Sequence, residues 1–160
     1  MKNFNLITYL LISCLFGSFA FANEELVPYP DNYRNWTHIK SMLIEPGHTL
    51  ENPFQGIHHV YGNSAAIQGL KKGKYSNGAT FVFDLLDYIK QDNTVQESGR
   101  KLIGVMVKDS KKYKNTGGWG FEGFAKNSKT QRLTNDGGSN CFTCHSSQVK
   151  SDYVFSKYRK

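Results

Sequence analysis

The chain has 160 residues and a formal net charge of +7, and 15 of its first 22 residues are apolar with Lys2 the single charge among them. Setting that leader aside leaves 138 residues at +6, enough for one compact domain and too few for two. No second long apolar run follows Asn23, so a transporter, a cytoplasmic enzyme and a multidomain machine are all excluded as readings.

The leader has the outline of a secretory signal. Lys2 forms the n-region, Phe4 to Phe19 are mostly apolar, and Ala20-Phe21-Ala22 is a small-x-small cleavage site. The expectation is therefore a signal peptide over 1–22, export to the periplasm, and a single domain over 23–160. Leu11-Ile12-Ser13-Cys14 also resembles a lipobox, which would leave a lipid anchor on Cys14. A lipidated cysteine is normally followed by a polar tether, and Leu15-Phe16 continues the apolar run instead.

Along the remaining chain, Asn23 to Pro30 reads as a polar, proline-bearing lead-in, mobile or extended, and Asp31 as the cap of one helical turn over Asn32 to Asn35. Thr37 to Ile44 reads as a strand, ended by the turn signal Glu45-Pro46-Gly47. A loop with Pro53 leads to a strand over Gly56 to Tyr61. Asn63 or Ser64 caps a helix over Ala65 to Lys72, stopped by Gly73. Ala79 to Lys90 opens as a β-prone run, and Lys101 to Lys108 is a further strand with Ile103, Val105 and Val107 on one face. Trp119 to Ala125 is a glycine-studded strand, and Asn135 to Asn140 is a polar loop. The order predicts an α+β domain, mainly an antiparallel β-sheet with short helices and a C-terminal attachment segment.

Composition agrees with short strands rather than a helical bundle. After the leader only 47 residues are apolar, 17 of them aromatic and four alanine, against 14 glycines. Such a thin, aromatic core would be completed well by a large flat apolar cofactor. The lysines are scattered, at Lys71, Lys72, Lys74, Lys108, Lys111, Lys112, Lys114, Lys150 and Lys157. They read either as a solvated surface or as a docking face for an acidic redox partner, and export disfavours nucleic acid.

Cys141-Phe142-Thr143-Cys144-His145 carries the chemistry. In C-x-x-C-H, two thiols on one helical turn can add across the two vinyl groups of one haem, and the adjacent imidazole becomes the axial iron ligand. A zinc site would need a fourth donor, and no second C-x-x-C is present. A thioredoxin-like pair would open a helix early in a βαβ unit, and a disulfide across two residues would be strained. The function then turns on the other side of the iron. Met42 and Met106 are possible sixth ligands of an electron-transfer cytochrome, though both read more readily as packing. His38, His48, His58 and His59 are further candidates. His58 and His59 are consecutive on a strand, so at most one of them can look into a pocket.

Tyr33-Arg34-Asn35-Trp36, Pro53-Phe54, Val107-Lys108-Asp109-Ser110-Lys111 and Gly118-Trp119-Gly120-Phe121 all precede this motif. In that order and spacing they resemble the cytochrome P-460 family, and within it the branch called cytochrome c′-beta. The resemblance spans Tyr33 to Arg159 and implies a small antiparallel sheet protein, usually a homodimer, with one covalent haem c. Catalytic members of the family oxidise hydroxylamine, using a lysine bonded to the haem ring and a carboxylate by the open iron face. Phe83 stands at the lysine's position here and Gly104 at the carboxylate's, while His58 replaces another basic pocket residue. In the c′-beta branch two phenylalanines cap the open iron face, and Phe54 and Phe83 match them. The resemblance therefore implies a five-coordinate haem that binds nitric oxide for scavenging, transport or sensing. A hydroxylamine or nitric oxide oxidoreductase with His58 moving protons is the alternative, and a simple electron carrier is the third reading.

Overall fold

The computed structural model describes residues 26–159. Five strands form one antiparallel sheet in sequential order: β1 (Thr37–Ile44), β2 (Gly56–Gly62), β3 (Thr80–Gln91), β4 (Thr94–Lys108) and β5 (Trp119–Ala125). Each strand pairs with the one before it, the arrangement that short connections produce. Three short helices, α1 (Glu51–Phe54), α2 (Ser64–Lys72) and α3 (Ser139–His145), complete an α+β fold that is mainly sheet. Among the described residues no helix is long and apolar enough to cross a membrane. The leader over 1–22 and Cys14 lie outside the described residues.

Both faces of the sheet are covered where the start of β3 (80–86) pairs with the end of β4 (102–107), which explains why those stretches are rich in apolar residues on both faces. On one face Val60, Phe81, Met106, Trp119 and Phe121 form a core with Ala66 of α2 and Val154 of the C-terminal segment. On the other, Val82, Ile103, Val105 and Phe124 pack under Val27 and Tyr33. Strand alternation assigns neighbours to opposite faces, so Phe81 and Phe83 belong to the first and Val82 and Asp84 to the second. Asp84 is fully buried, yet it accepts hydrogen bonds from Tyr33 Oη (2.6 Å), Arg34 (3.0 Å) and Arg100 Nε (2.6 Å). Burial alone would push its carboxyl up. The bonds from Arg100, Tyr33 and Arg34 outweigh that and hold it below its ordinary value.

The helix α2 follows its sequence signals. The Asn63 side chain accepts from Ala66 N at 2.9 Å, and Gly73 closes the C-terminus. Of the lead-in expected to be mobile or extended, the described residues 26–30 are extended and held to the sheet: Val27 is buried and the Tyr29 ring meets Phe124 edge-on at 5.1 Å. Elsewhere the sequence reading needs correction. Asp31 caps nothing, since Asn32 occupies the cap position without a side-chain bond, and Asp31 pairs with Lys129. Residues 51–54, read as loop, form α1. The polar run 94–100 belongs to β4, because Asp92 and Asn93 both take positive φ in a tight hairpin and β3 supplies a partner strand beyond Leu86. Its lack of an apolar face is consistent with its exposure: Ile89 and Val95 on this arm are 47% and 44% exposed.

Candidate functional site

The C-x-x-C-H residues lie on α3, whose start is built by the preceding Asp-Gly-Gly. Asp136 accepts from Gly138 N and Asn140 N, both at 2.9 Å, satisfying donors that a helix start leaves free. The Asn140 amide and those beside it hold the Asp136 carboxyl below its usual range. Gly138 has φ +84°, and a Cβ there would stand 2.8 Å from Phe121 Cβ, so glycine lets the helix sit down on β5. The polar loop expected over 135–140 therefore ends at Ser139, where α3 begins.

On α3 both cysteines are free thiols, Cys141 half-buried and Cys144 exposed. Burial pushes the Cys141 thiol up, and the charges of Asp136 and Glu122 add to that. His145 packs between Phe121 (ring centroids 4.9 Å apart) and Phe155 (5.0 Å). Its Nδ1–H donates to the Tyr153 carbonyl at 2.7 Å, which leaves Nε2 as the nitrogen with a lone pair. Burial lowers its pKa and keeps the ring neutral, the form that ligates a metal.

A second group gathers over the same face of the sheet. Phe121 of β5 pairs with Met106 of β4, and Met106 with Phe81 of β3, so α3 and Phe83, two residues along β3, share one side. Phe83 meets Phe54 edge-on, with centroids 5.8 Å apart at 80°. It meets His58 at 4.4 Å and 30°. In register Phe83 stands opposite Gly104, so no side chain from β4 intrudes beside it. Phe54 is brought in by α1, and Lys101 Nζ ties the following turn to the sheet through Gln55 O at 2.7 Å. His58 is 2% exposed, and its Nδ1 is buried with no hydrogen-bond partner. Burial, then the charges of Lys40 and His59, push its pKa down to about 4, so it is neutral at physiological pH.

The structure thus brings Phe54, Phe83 and His58 together and leaves Met42 and the other candidate histidines apart. His59 faces the opposite side, bonded to Ser41 Oγ at 2.6 Å and paired with Glu97. His38 bonds Ser41, and His48 accepts from Leu50 N. Met42 is 39% exposed on the edge strand, whereas Met106 is packed in the core with Phe81 and Phe121. Among the described residues no group of three or more His, Cys, Asp or Glu side chains is placed to hold a metal ion. Sequence reasoning missed Asp136 and the Tyr153 carbonyl. Asp136 was legible as a helix-start residue, but a backbone acceptor carries no side-chain signal.

Two free thiols three apart on one helix, beside an imidazole whose Nε2 keeps its lone pair, fit a haem. The buried, unpartnered His58 Nδ1 and the aromatic pair over the same sheet face fit a pocket for its other side. Curated proteins contain no match to the chain. The family model described as Cytochrome P460 matches residues 30–156, which takes in every strand, α3 and the aromatic group. On that match, covering most of the chain, the protein belongs to the cytochrome P460 family, whose cofactor is haem.

Proposed function

We propose that the protein is a periplasmic monohaem cytochrome of the c′-beta type that binds nitric oxide as scavenger, carrier or sensor. In this reading Cys141 and Cys144 bond one haem c per chain and His145 is the sole protein ligand of its iron. Phe54 and Phe83 cap the opposite side. Export follows from cleavage of 1–22, the protein works as a homodimer, and any redox partner is acidic.

The edge-to-face pair Phe54–Phe83 carries the reading. A phenyl ring has no lone pair for iron and no proton to donate, so the pair excludes water and leaves the metal five-coordinate. Haem supplies an iron that binds small diatomics. Nitric oxide binds the ferrous form without a distal hydrogen bond, whereas bound oxygen gains charge and needs a donor, which phenyl rings lack. Phe83 at the lysine position and Gly104 at the carboxylate position both argue against hydroxylamine chemistry. Absorption spectra of both oxidation states, with and without nitric oxide, test this. A high-spin ferric form and a ferrous form shifted by nitric oxide are expected. A low-spin spectrum that becomes high-spin in Met106→Ala would overturn it in favour of an electron carrier.

His58 favours a second reading, because a buried imidazole nitrogen without a partner beside Phe83 is available to move a proton. That reading is an oxidoreductase acting on hydroxylamine or nitric oxide. Sustained turnover of hydroxylamine with an electron acceptor, and a ring-to-side-chain adduct by mass spectrometry, would establish it over the first.

A further inference from the structure

Behind His145 lies an ion pair that the haem motif does not include. Lys108, the last residue of β4, is 8% exposed and donates from Nζ to Asp152 Oδ1 at 2.7 Å and to Gly117 O at 3.1 Å. Its ammonium stands 4.9 Å from the centroid of the fully buried Trp119 ring, and Trp119 Nε1 donates to the same Asp152 oxygen at 3.3 Å. Asp152 immediately precedes Tyr153, whose carbonyl accepts from His145 Nδ1.

The backbone there is in an uncommon state. Asp152 and Tyr153 have φ of 51° and 68°, two consecutive left-handed residues, neither of them glycine. A bulky residue adopts that conformation only where its surroundings impose it. Four contacts impose it. Asp152 is pinned by Lys108 and Trp119, and Tyr153 N donates to Gln148 O at 2.8 Å. The Tyr153 ring lies over Gly117 (φ +66°), where a Cβ would come within 2.3 Å of it. The left-handed pair turns the Tyr153 carbonyl toward His145.

We propose that Lys108 and Asp152 are positioning residues for the proximal histidine. They clamp the Tyr153 carbonyl against His145 Nδ1–H, and so set the donor strength of Nε2 toward haem iron. The inference rests on the five-coordinate reading above. A firm Nδ1–H···O=C bond gives the ring partial imidazolate character, strengthens Nε2 as a donor and favours the ferric state. Loosening the clamp weakens the iron–histidine bond and favours the ferrous state.

The test compares Lys108→Met, Asp152→Asn and, as a charge control, Lys150→Met at an exposed lysine five residues after His145. Each holoprotein is read by ferrous resonance Raman for the iron–histidine stretch and by redox titration. Lys108→Met is expected to lower the stretching frequency and shift the ferric/ferrous equilibrium about fivefold toward ferrous. That is a rise of about 40 mV at 59 mV per tenfold for one electron. Asp152→Asn keeps a residue tolerant of positive φ and is expected to move both readouts the same way, while Lys150→Met leaves the frequency unchanged. If Lys108→Met does not fold, Asp152→Asn carries the test alone. Wild-type frequency and potential in the clamp variants, or shifts equal to those of Lys150→Met, would overturn the proposal. Absence of the ferrous iron–histidine band in the wild type itself would instead overturn the five-coordinate reading.

Discussion

Removing Phe83 tests the gate directly. Phe83 touches Phe54 at 5.8 Å edge-on and His58 at 4.4 Å, and Gly104 opposite offers no side chain to refill the gap. In the proposed reading a diatomic reaching the iron would have to part the two phenyl rings, and an aromatic contact of this kind is worth about 0.5–1.5 kcal/mol. Taking about 1 kcal/mol as the part of the barrier that disappears, Phe83→Ala should speed association about fivefold, at 1.36 kcal/mol per tenfold. Phe54→Ala breaks the same contact and should give a similar factor, and the double variant should gain little more than either single one. The assay is stopped-flow binding of nitric oxide to the ferrous protein, with dissociation measured separately. Association rates within twofold of wild type in both single variants would refute the rings as a gate and return them to ordinary packing.

Three further outcomes are expected. His145→Ala should leave a haem tethered by thiols but poorly ligated, seen as loss of the ferrous iron–histidine Raman band with the haem mass retained under denaturing conditions. Arg100→Met should cost about 3 kcal/mol in denaturant unfolding at pH 7, because it strips a partner from a buried carboxylate, with Arg34 and Tyr33 left to soften the loss. Asp84 is held below its ordinary value, so its share of stability is present above about pH 4 and lost as pH falls through the folded value; the Arg100→Met penalty should shrink there. His58 runs on a different window. Its pKa falls from 6.5 to about 4, so between those values the unfolded chain binds the proton that the native one refuses and stability rises with pH. Over that interval the wild type should lose about 3 kcal/mol on acidification relative to His58→Leu, measured by unfolding at successive pH values.

Much of the architecture was legible because its signals are local. The Asn63 cap and Gly73 stop bound α2, and the β-prone run Thr80-Phe81-Val82-Phe83 announces β3. C-x-x-C-H is readable without any structure at all. That His58 and His59 part to opposite faces followed from strand alternation alone. The grouping of Phe54 with Phe83 was different: it came from a family likeness, since each phenylalanine alone reads as core. What stayed hidden depends on register across distance. The polar start of β4 is a strand only because β3 runs on past Leu86 to receive it. Asp84 finds Arg100 16 residues away and Arg34 50 away. The Tyr153 carbonyl reaches His145 through a backbone turn that no residue type spells out.

Phe83 and Asp84 are adjacent in the chain and serve opposite sides of the sheet, one among rings and the other among guanidinium groups. Sliding β3 by a single residue would exchange them, sending an anion into the aromatic pocket and a phenyl into the arginine cluster. Both misplacements are unfavourable at once, so Arg34 and Arg100, bonded to Asp84 on the opposite face from Phe83, help to specify the register of β3. An insertion or deletion on the β2–β3 connection that slipped this pairing would thus misplace Phe83 without removing any residue of the candidate site.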